Sequence, residues 1–334
     1  MKRTIAAAAA VATVLGATVI GGAWSGIDGA RAAELEKLDL TYIPSNSIYW
    51  DLDVGVDKGF FKEEGFNAQV LSNQSSPQSM QMLISGQVEI AIAQPDPLIA
   101  AIEKGAKDIG IIAAPATEAD WFLVGKKGIK SIADLKDQTV GFSALRVGEF
   151  YLTRNMLKEH GIGAKDFAAI QIGPTPAKYA ALQKGSIAAG VLFQPTATLA
   201  QENGFPVLAR FAKTQKGFPA IVYLANRKWA AANNHGKRFT RALQKVHTWL
   251  YDPKNKDEAI AILQKYSKRN KETVAKVYEL YFVTDKLYSK DGALNVADMK
   301  KTVQLIAENT GLAKDSIPKP EQYLIPKSDG ALLK

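Results

Sequence analysis

Several short stretches put donor, charged or aromatic side chains where a helix begins. In Ser143-Ala144-Leu145-Arg146-Val147-Gly148, between an apolar run at 140–142 and a helical stretch at about 147–160, a hydroxyl and a guanidinium stand beside the free N–H groups of a helix start. Such N–H groups attract anions, and arginine grips a carboxylate, sulfonate or phosphonate through two parallel hydrogen bonds. Leu145 and Val147 would line the same loop, and a surface arginine beside a serine cap is the alternative. Ser47, Tyr49 and Trp50 combine a hydroxyl with two rings, which suits either the aromatic wall of a pocket or ordinary core packing. In Gln94-Pro95-Asp96 the carboxylate is placed either to meet a ligand ammonium group or to stabilise a helix dipole. Phe193, Gln194 and Phe218 fall at loop edges, where the rings would stack on a planar ligand, whereas Trp121 and Phe122 begin a strand and read as core.

Composition excludes several other chemistries. With no cysteine among 334 residues there is no thiol nucleophile, disulfide or Cys-based metal site, and the three histidines are scattered without an i, i+4 pair. No G-x-x-x-x-G-K loop or G-x-S-x-G elbow occurs, so neither an enzyme nor a bound cofactor or metal is expected. The formal charge of +9 is spread over dispersed lysines, which reads as a solvated surface rather than a nucleic-acid patch. The first residues form a separate signal. Lys2-Arg3, an uncharged apolar run at 4–24 and Ala30-Arg31-Ala32 have the form of a signal peptide cleaved near Ala32. A membrane anchor is the alternative, but the run is rich in alanine and glycine and a small-residue site follows it closely. Export makes an anionic small molecule or an anionic membrane surface the preferred partner of the basic chain.

The elements that must position these residues alternate. Apolar runs at 38–43, 68–71, 88–93, 109–113, 121–125, 140–142, 168–172, 187–193, 207–211 and 221–225 predict strands. Between the first of them, 51–63, 77–85 and 97–104 predict helices, which is an α/β pattern. After residue 226 the periodicity is helical, at 236–251, 257–266, 271–280 and 296–308. An internal repeat organises the whole: Pro77 to Gly86 aligns with Pro176 to Gly185, each followed by an apolar strand and then Gln94-Pro95 or Gln194-Pro195. Two similar α/β lobes imply a bilobed clamp whose ligand sits where loops at the carboxyl ends of the strands converge. Hinges are expected near Gly125 and Val222. That assigns 33–124 plus 223–334 to lobe 1 and 125–222 to lobe 2.

The same stretches carry a family resemblance. Gly59-Phe60-Phe61, ending at Gly65, Ser131 to Gly141 with Asp134-Leu135-Lys136, Ala181 to Gly185, and Gln194-Pro195 together resemble nitrate-, sulfonate- and taurine-binding proteins of ABC importers. The resemblance runs from 38 to about 251. It implies a type II periplasmic binding protein fold: two lobes, two crossover strands and a helical C-terminal portion packed on the first lobe. It further implies a monomer that delivers a small organic anion to an inner-membrane permease driven by a cytoplasmic ATPase. The sequence departs from the family where ligand identity is set, at Gln94-Pro95-Asp96-Pro97 and at Phe193-Gln194. A lyase or pyrimidine-forming enzyme on the same fold, and a non-transport sensor, remain the alternatives.

Overall fold

The computed structural model describes residues 34–44, 46–116 and 118–334, so the signal peptide expected at 1–32 lies outside the described residues. Each apolar run forms a strand: β1 (Glu36–Tyr42), β2 (Phe66–Ser72), β3 (Ile90–Ala93), β4 (Ile109–Ala113), β5 (Trp121–Gly125), β6 (Thr139–Phe142), β7 (Ala168–Gln171), β8 (Ala189–Phe193), β9 (Val207–Arg210) and β10 (Val222–Asn226). They build two five-stranded sheets, in the orders β2-β1-β3-β10-β4 and β7-β6-β8-β5-β9. In the first, β1 pairs in parallel with β2 and β3, while β10 runs antiparallel between β3 and β4. The second repeats this arrangement, with β6 parallel to β7 and β8, and β5 antiparallel between β8 and β9. The sequence repeat is therefore a repeat of topology. Parallel neighbours need long crossovers, and the helices Ser76–Ile84 and Thr175–Gln183 at the repeated Pro77 and Pro176 supply them.

The antiparallel strand of each sheet arrives from the other sheet. The chain crosses once at 114–120, between β4 and β5, and returns at 215–221, between β9 and β10. The second crossing lies beside the hinge expected at Val222. The first precedes β5 instead of lying near Gly125, because the whole of β5 is hydrogen-bonded into the second sheet.

Both faces of the first sheet are covered around β3, β4 and β10, which is why these strands read as continuous apolar runs. Ile90, Ile92 and Tyr223 face a cluster containing Phe61 and Phe239, and the alternate Ala91, Val222 and Leu224 face one containing Leu98, Met299 and Tyr323. The helix expected over 51–63 is split into Trp50–Asp57 and Phe60–Glu63 by Gly59, whose φ of 77° suits glycine.

The C-terminal helices His235–Tyr251, Lys256–Ser267 and Lys271–Tyr278 pack on the Trp50–Asp57 helix around Trp50, Val54 and Phe282. They do not stop at the first lobe, as the resemblance implied. The Tyr281 hydroxyl donates to Asp120, Arg210 pairs with Asp285, and Thr273 Oγ1 donates to Glu202 Oε2 at 2.9 Å. Farther along, Arg154 Nη2 donates to Asn309 Oδ1 at 2.6 Å from the helix Val296–Thr310. The helical portion thus braces both lobes.

Candidate functional site

The carboxyl ends of the strands of the two sheets face one narrow cleft. From the first lobe it is lined by Ile43, Asn46, Tyr49, Gln74, Ser75, Ser76 and Gln94. Ser143, Ala144, Val147, Pro174, Thr175 and Phe193 come from the second lobe, and Ile221 from the return crossing. Among the described residues each lobe contributes one ring, Tyr49 or Phe193, and no lining side chain carries a formal charge. Tyr49 is held against Tyr42, with ring centroids 5.4 Å apart, and burial pushes its phenol well above the usual range.

The start of the helix Gly148–Glu159, expected to receive an anion, is filled by the protein's own groups. Gly148 N–H donates to Asp96 Oδ2 at 2.9 Å, and Glu149 N–H donates to Gln94 Oε1 at 3.0 Å, both across the cleft. Ser47 N–H adds a third bond between the lobes, to the Gln194 carbonyl at 2.7 Å. Gly148 permits this approach, since a Cβ there would stand 2.7 Å from Phe218 and 3.0 Å from Gln94 Oε1. Asp96 is 3% exposed, and burial pushes its carboxyl up to about 7 against the opposing pull of its backbone donors.

Beneath Ser143 lies a fully buried ion pair. Lys178 Nζ sits 3.2 Å from Glu149 Oε2, donates to Ser143 Oγ at 2.8 Å and lies 5.4 Å from the centre of the Phe193 ring. Glu149 also accepts from the Ser143 N–H. Burial pulls the Lys178 ammonium below the usual lysine range, while Glu149 holds it up. The lysine's charge is therefore matched inside the protein.

Of the residues singled out from sequence, Tyr49, Gln94, Ser143, Val147 and Phe193 line the cleft. Ser47, Asp96 and Gln194 make or border the contacts between lobes, and Pro95 precedes the helix Asp96–Glu103. Trp50 belongs instead to the core under the C-terminal helices, where its Nε1 donates to the Ala259 carbonyl at 3.1 Å. Phe218 packs edge-on against Trp121, at 5.7 Å. Leu145 and Arg146 are exposed and lie outside the cleft lining, with Arg146 at a left-handed φ of 65°. The guanidinium expected to grip an anion is thus not one of the lining groups.

Sequence reasoning missed Ser75, Ser76, Pro174 and Thr175, which the repeat could have found. They are the residues immediately before the aligned Pro77 and Pro176, at equivalent helix starts. Lys178 was missed because a lysine one turn into a helix reads as solvated. Among the described residues no group of three His, Asp or Glu side chains is placed to hold a metal ion.

A family model described as NMT1/THI5 like matches residues 51–256, more than half of the chain. The chain belongs to the NMT1/THI5-like family. Among its relatives is YtlA of Bacillus subtilis (strain 168), a provisionally named binding protein. It is 26% identical over 294 residues, which span 85% of this chain and 86% of YtlA. A formylaminopyrimidine-binding protein of Halalkalibacterium halodurans is 22% identical over 242 residues, 70% of this chain and 71% of that one. Among solved structures, the alkanesulfonate-binding protein SsuA from Xanthomonas axonopodis pv. citri, bound to MOPS, superposes with a TM-score of 0.70. It is 18% identical, covering 89% of this chain and 99% of SsuA. This NMT1/THI5-like chain therefore has the two-lobed fold of periplasmic substrate-binding proteins.

Proposed function

We propose that this protein is the extracytoplasmic binding component of an ABC importer, capturing one small ligand between its lobes and handing it to an inner-membrane permease. The family, the fold and the binding-protein relatives support a binding role. The basic, then apolar, N-terminal sequence with Ala30-Arg31-Ala32 supports export.

Our reading of the ligand class rests on one observation, the absence of any formal charge among the described side chains that line the cleft. A sulfonate or nitrate enclosed there would lose its water without gaining a counter-ion, at a cost of several kcal/mol. Asn46, Gln74, Gln94, Ser75, Ser76, Ser143 and Thr175 each both donate and accept hydrogen bonds. With a ring on either side, this set suits a planar, neutral nitrogen heterocycle carrying both N–H groups and ring acceptors. An aminopyrimidine has that chemistry, and one relative is named for binding a formylated one.

A thermal-shift and calorimetry panel tests the proposal, with aminopyrimidines, an N-formyl aminopyrimidine, methanesulfonate, taurine, an aromatic carboxylate and nitrate. Saturation at 100 times the dissociation constant adds about 2.7 kcal/mol of stability. The pyrimidines are expected to give that shift and to be recovered chemically unchanged. Binding of the anions alone would return the ligand to the sulfonate and nitrate class, and turnover would make the protein an enzyme.

A further inference from the structure

The Asp96 carboxylate does two things at once that pull in opposite directions. Its Oδ2 takes the Gly148 N–H of the second lobe and its own backbone N–H also acts on the carboxyl, while its buried Oδ1 has no hydrogen-bond partner among the described residues. A buried carboxylate normally gathers several donors, because its charge is costly to remove from water. Here the positive end of a twelve-residue helix and its first amide are recruited, yet half of the carboxyl group is left bare. A neutral carboxylic acid, protonated on Oδ1 and still accepting through Oδ2, eases the conflict, because a buried O–H costs far less to remove from water than a buried charge.

The surroundings agree. Tyr151, one turn along the same helix, has its phenol pushed up to about 12 by burial, with the Asp96 charge adding to the shift. Arg146 and Arg154 act on that phenol in the opposite direction. Glu149, next to Gly148, is already committed to Lys178 and Ser143. Among these groups no cation is bonded to Asp96, and its neighbour Gln94 meets the adjacent amide with a neutral oxygen.

We infer that Asp96 is the positioning residue of the closed cleft, seating the second lobe's helix on the first lobe as a neutral carboxylic acid, so that closing the lobes takes up a proton. The inference rests on the two lobes acting as a clamp but not on the identity of the ligand. When the lobes part, Asp96 faces water and ionises with the ordinary affinity of an aspartate. When they meet, burial raises that affinity to about 7. Because the closed form holds its proton more tightly, acidification from pH 8 towards pH 5 favours closure, by roughly tenfold to a hundredfold. An anion hole is thereby converted into a joint between lobes.

The chain has no cysteine, so a spin-label pair at Lys104→Cys and Lys184→Cys, both exposed and one in each lobe, reports the separation of the lobes cleanly. Distances are measured by pulsed electron resonance on ligand-free protein at pH 5 and pH 8. The parent is expected to gain closed population at pH 5. Asp96→Asn, which keeps the acceptor for Gly148 without a charge, should be closed at both values. Asp96→Ala should be open at both. The inference is overturned if Asp96→Asn opens as Asp96→Ala does, if the pH response of the parent persists in Asp96→Asn, or if no variant changes the distance. No ligand enters the measurement, so its failure is separable from a failure of the aminopyrimidine assignment.

Discussion

Replacing Lys178 with methionine tests whether the cleft floor is an internally matched ion pair. Both partners have fully buried side chains, and the ammonium touches only groups the protein supplies: Glu149 at 3.2 Å, Ser143 at 2.8 Å and the Phe193 ring. Methionine has similar length and no charge, so the apolar stem stays packed while Glu149 loses its cation and keeps only a backbone donor from Ser143. Stranding one member of a buried pair costs about 3–5 kcal/mol. At roughly 2–4 °C per kcal/mol for chains of this scale, the melting temperature should fall by about 6–20 °C. The double variant Lys178→Met with Glu149→Gln removes both charges and keeps an acceptor for Ser143. It should recover most of the loss, leaving a coupling of at least about 2 kcal/mol in a double-mutant cycle. Urea denaturation at pH 7.5 on all four proteins is the assay. A loss below about 1 kcal/mol for Lys178→Met, or a double variant costing the sum of the singles, would refute the matched pair.

Other expectations follow from the same geometry. Gly148→Ala, which sets a methyl against Phe218 and Gln94, should hold the lobes apart and weaken ligand binding about tenfold or more, as read by calorimetry, while the melting temperature of the empty protein changes little. Tyr49→Ala and Phe193→Ala should each cost about 1–2 kcal/mol of binding if the rings contact the ligand. The Asp120 carboxyl, bonded to Tyr281 and otherwise buried, is raised by burial to about 7. A carboxyl raised on folding binds its proton more tightly in the native state, so its contribution is full below about pH 4 and is lost as the pH rises towards 7. Asp120→Asn should therefore flatten the decline in stability between pH 5 and pH 8 in pH-dependent denaturation. Arg146→Ala, on an exposed loop outside the cleft lining, should leave binding of a neutral ligand unchanged.

The strands were legible because each holds an apolar run closed by turn residues, and in β3, β4, β5, β8 and β10 burial of nearly every residue leaves little polar alternation to blur it. What the runs do not carry is sheet membership. Trp121–Gly125 has the same composition whichever sheet it joins, so the first crossing was expected near Gly125 and lies at 114–120. Aromatic residues were ambiguous for a related reason. Tyr49 and Trp50 are adjacent on the chain, but the turn from Ser47–Tyr49 into the helix sends one ring to the cleft and the other beneath the C-terminal helices. At 143–148 the sequence identified a helix start suited to an anion, and the structure supplies an acceptor from within, the carboxyl group of Asp96. A contact between residues 52 positions apart, on different lobes, leaves no trace in the spacing of either segment. Lys178 and Glu149, 29 positions apart on two helices, are another pair of this kind.

The most direct measurement is a crystal structure of the protein saturated with an N-formyl aminopyrimidine at neutral pH. The ligand is expected between Tyr49 and Phe193, hydrogen-bonded to Gln94 and Ser143, with Asp96 still on the Gly148 amide and Lys178 still on Glu149. Ligand density at Arg146, or a sulfonate displacing Asp96 from the Gly148 amide, would contradict an uncharged cleft closed by the protein's own carboxyl group.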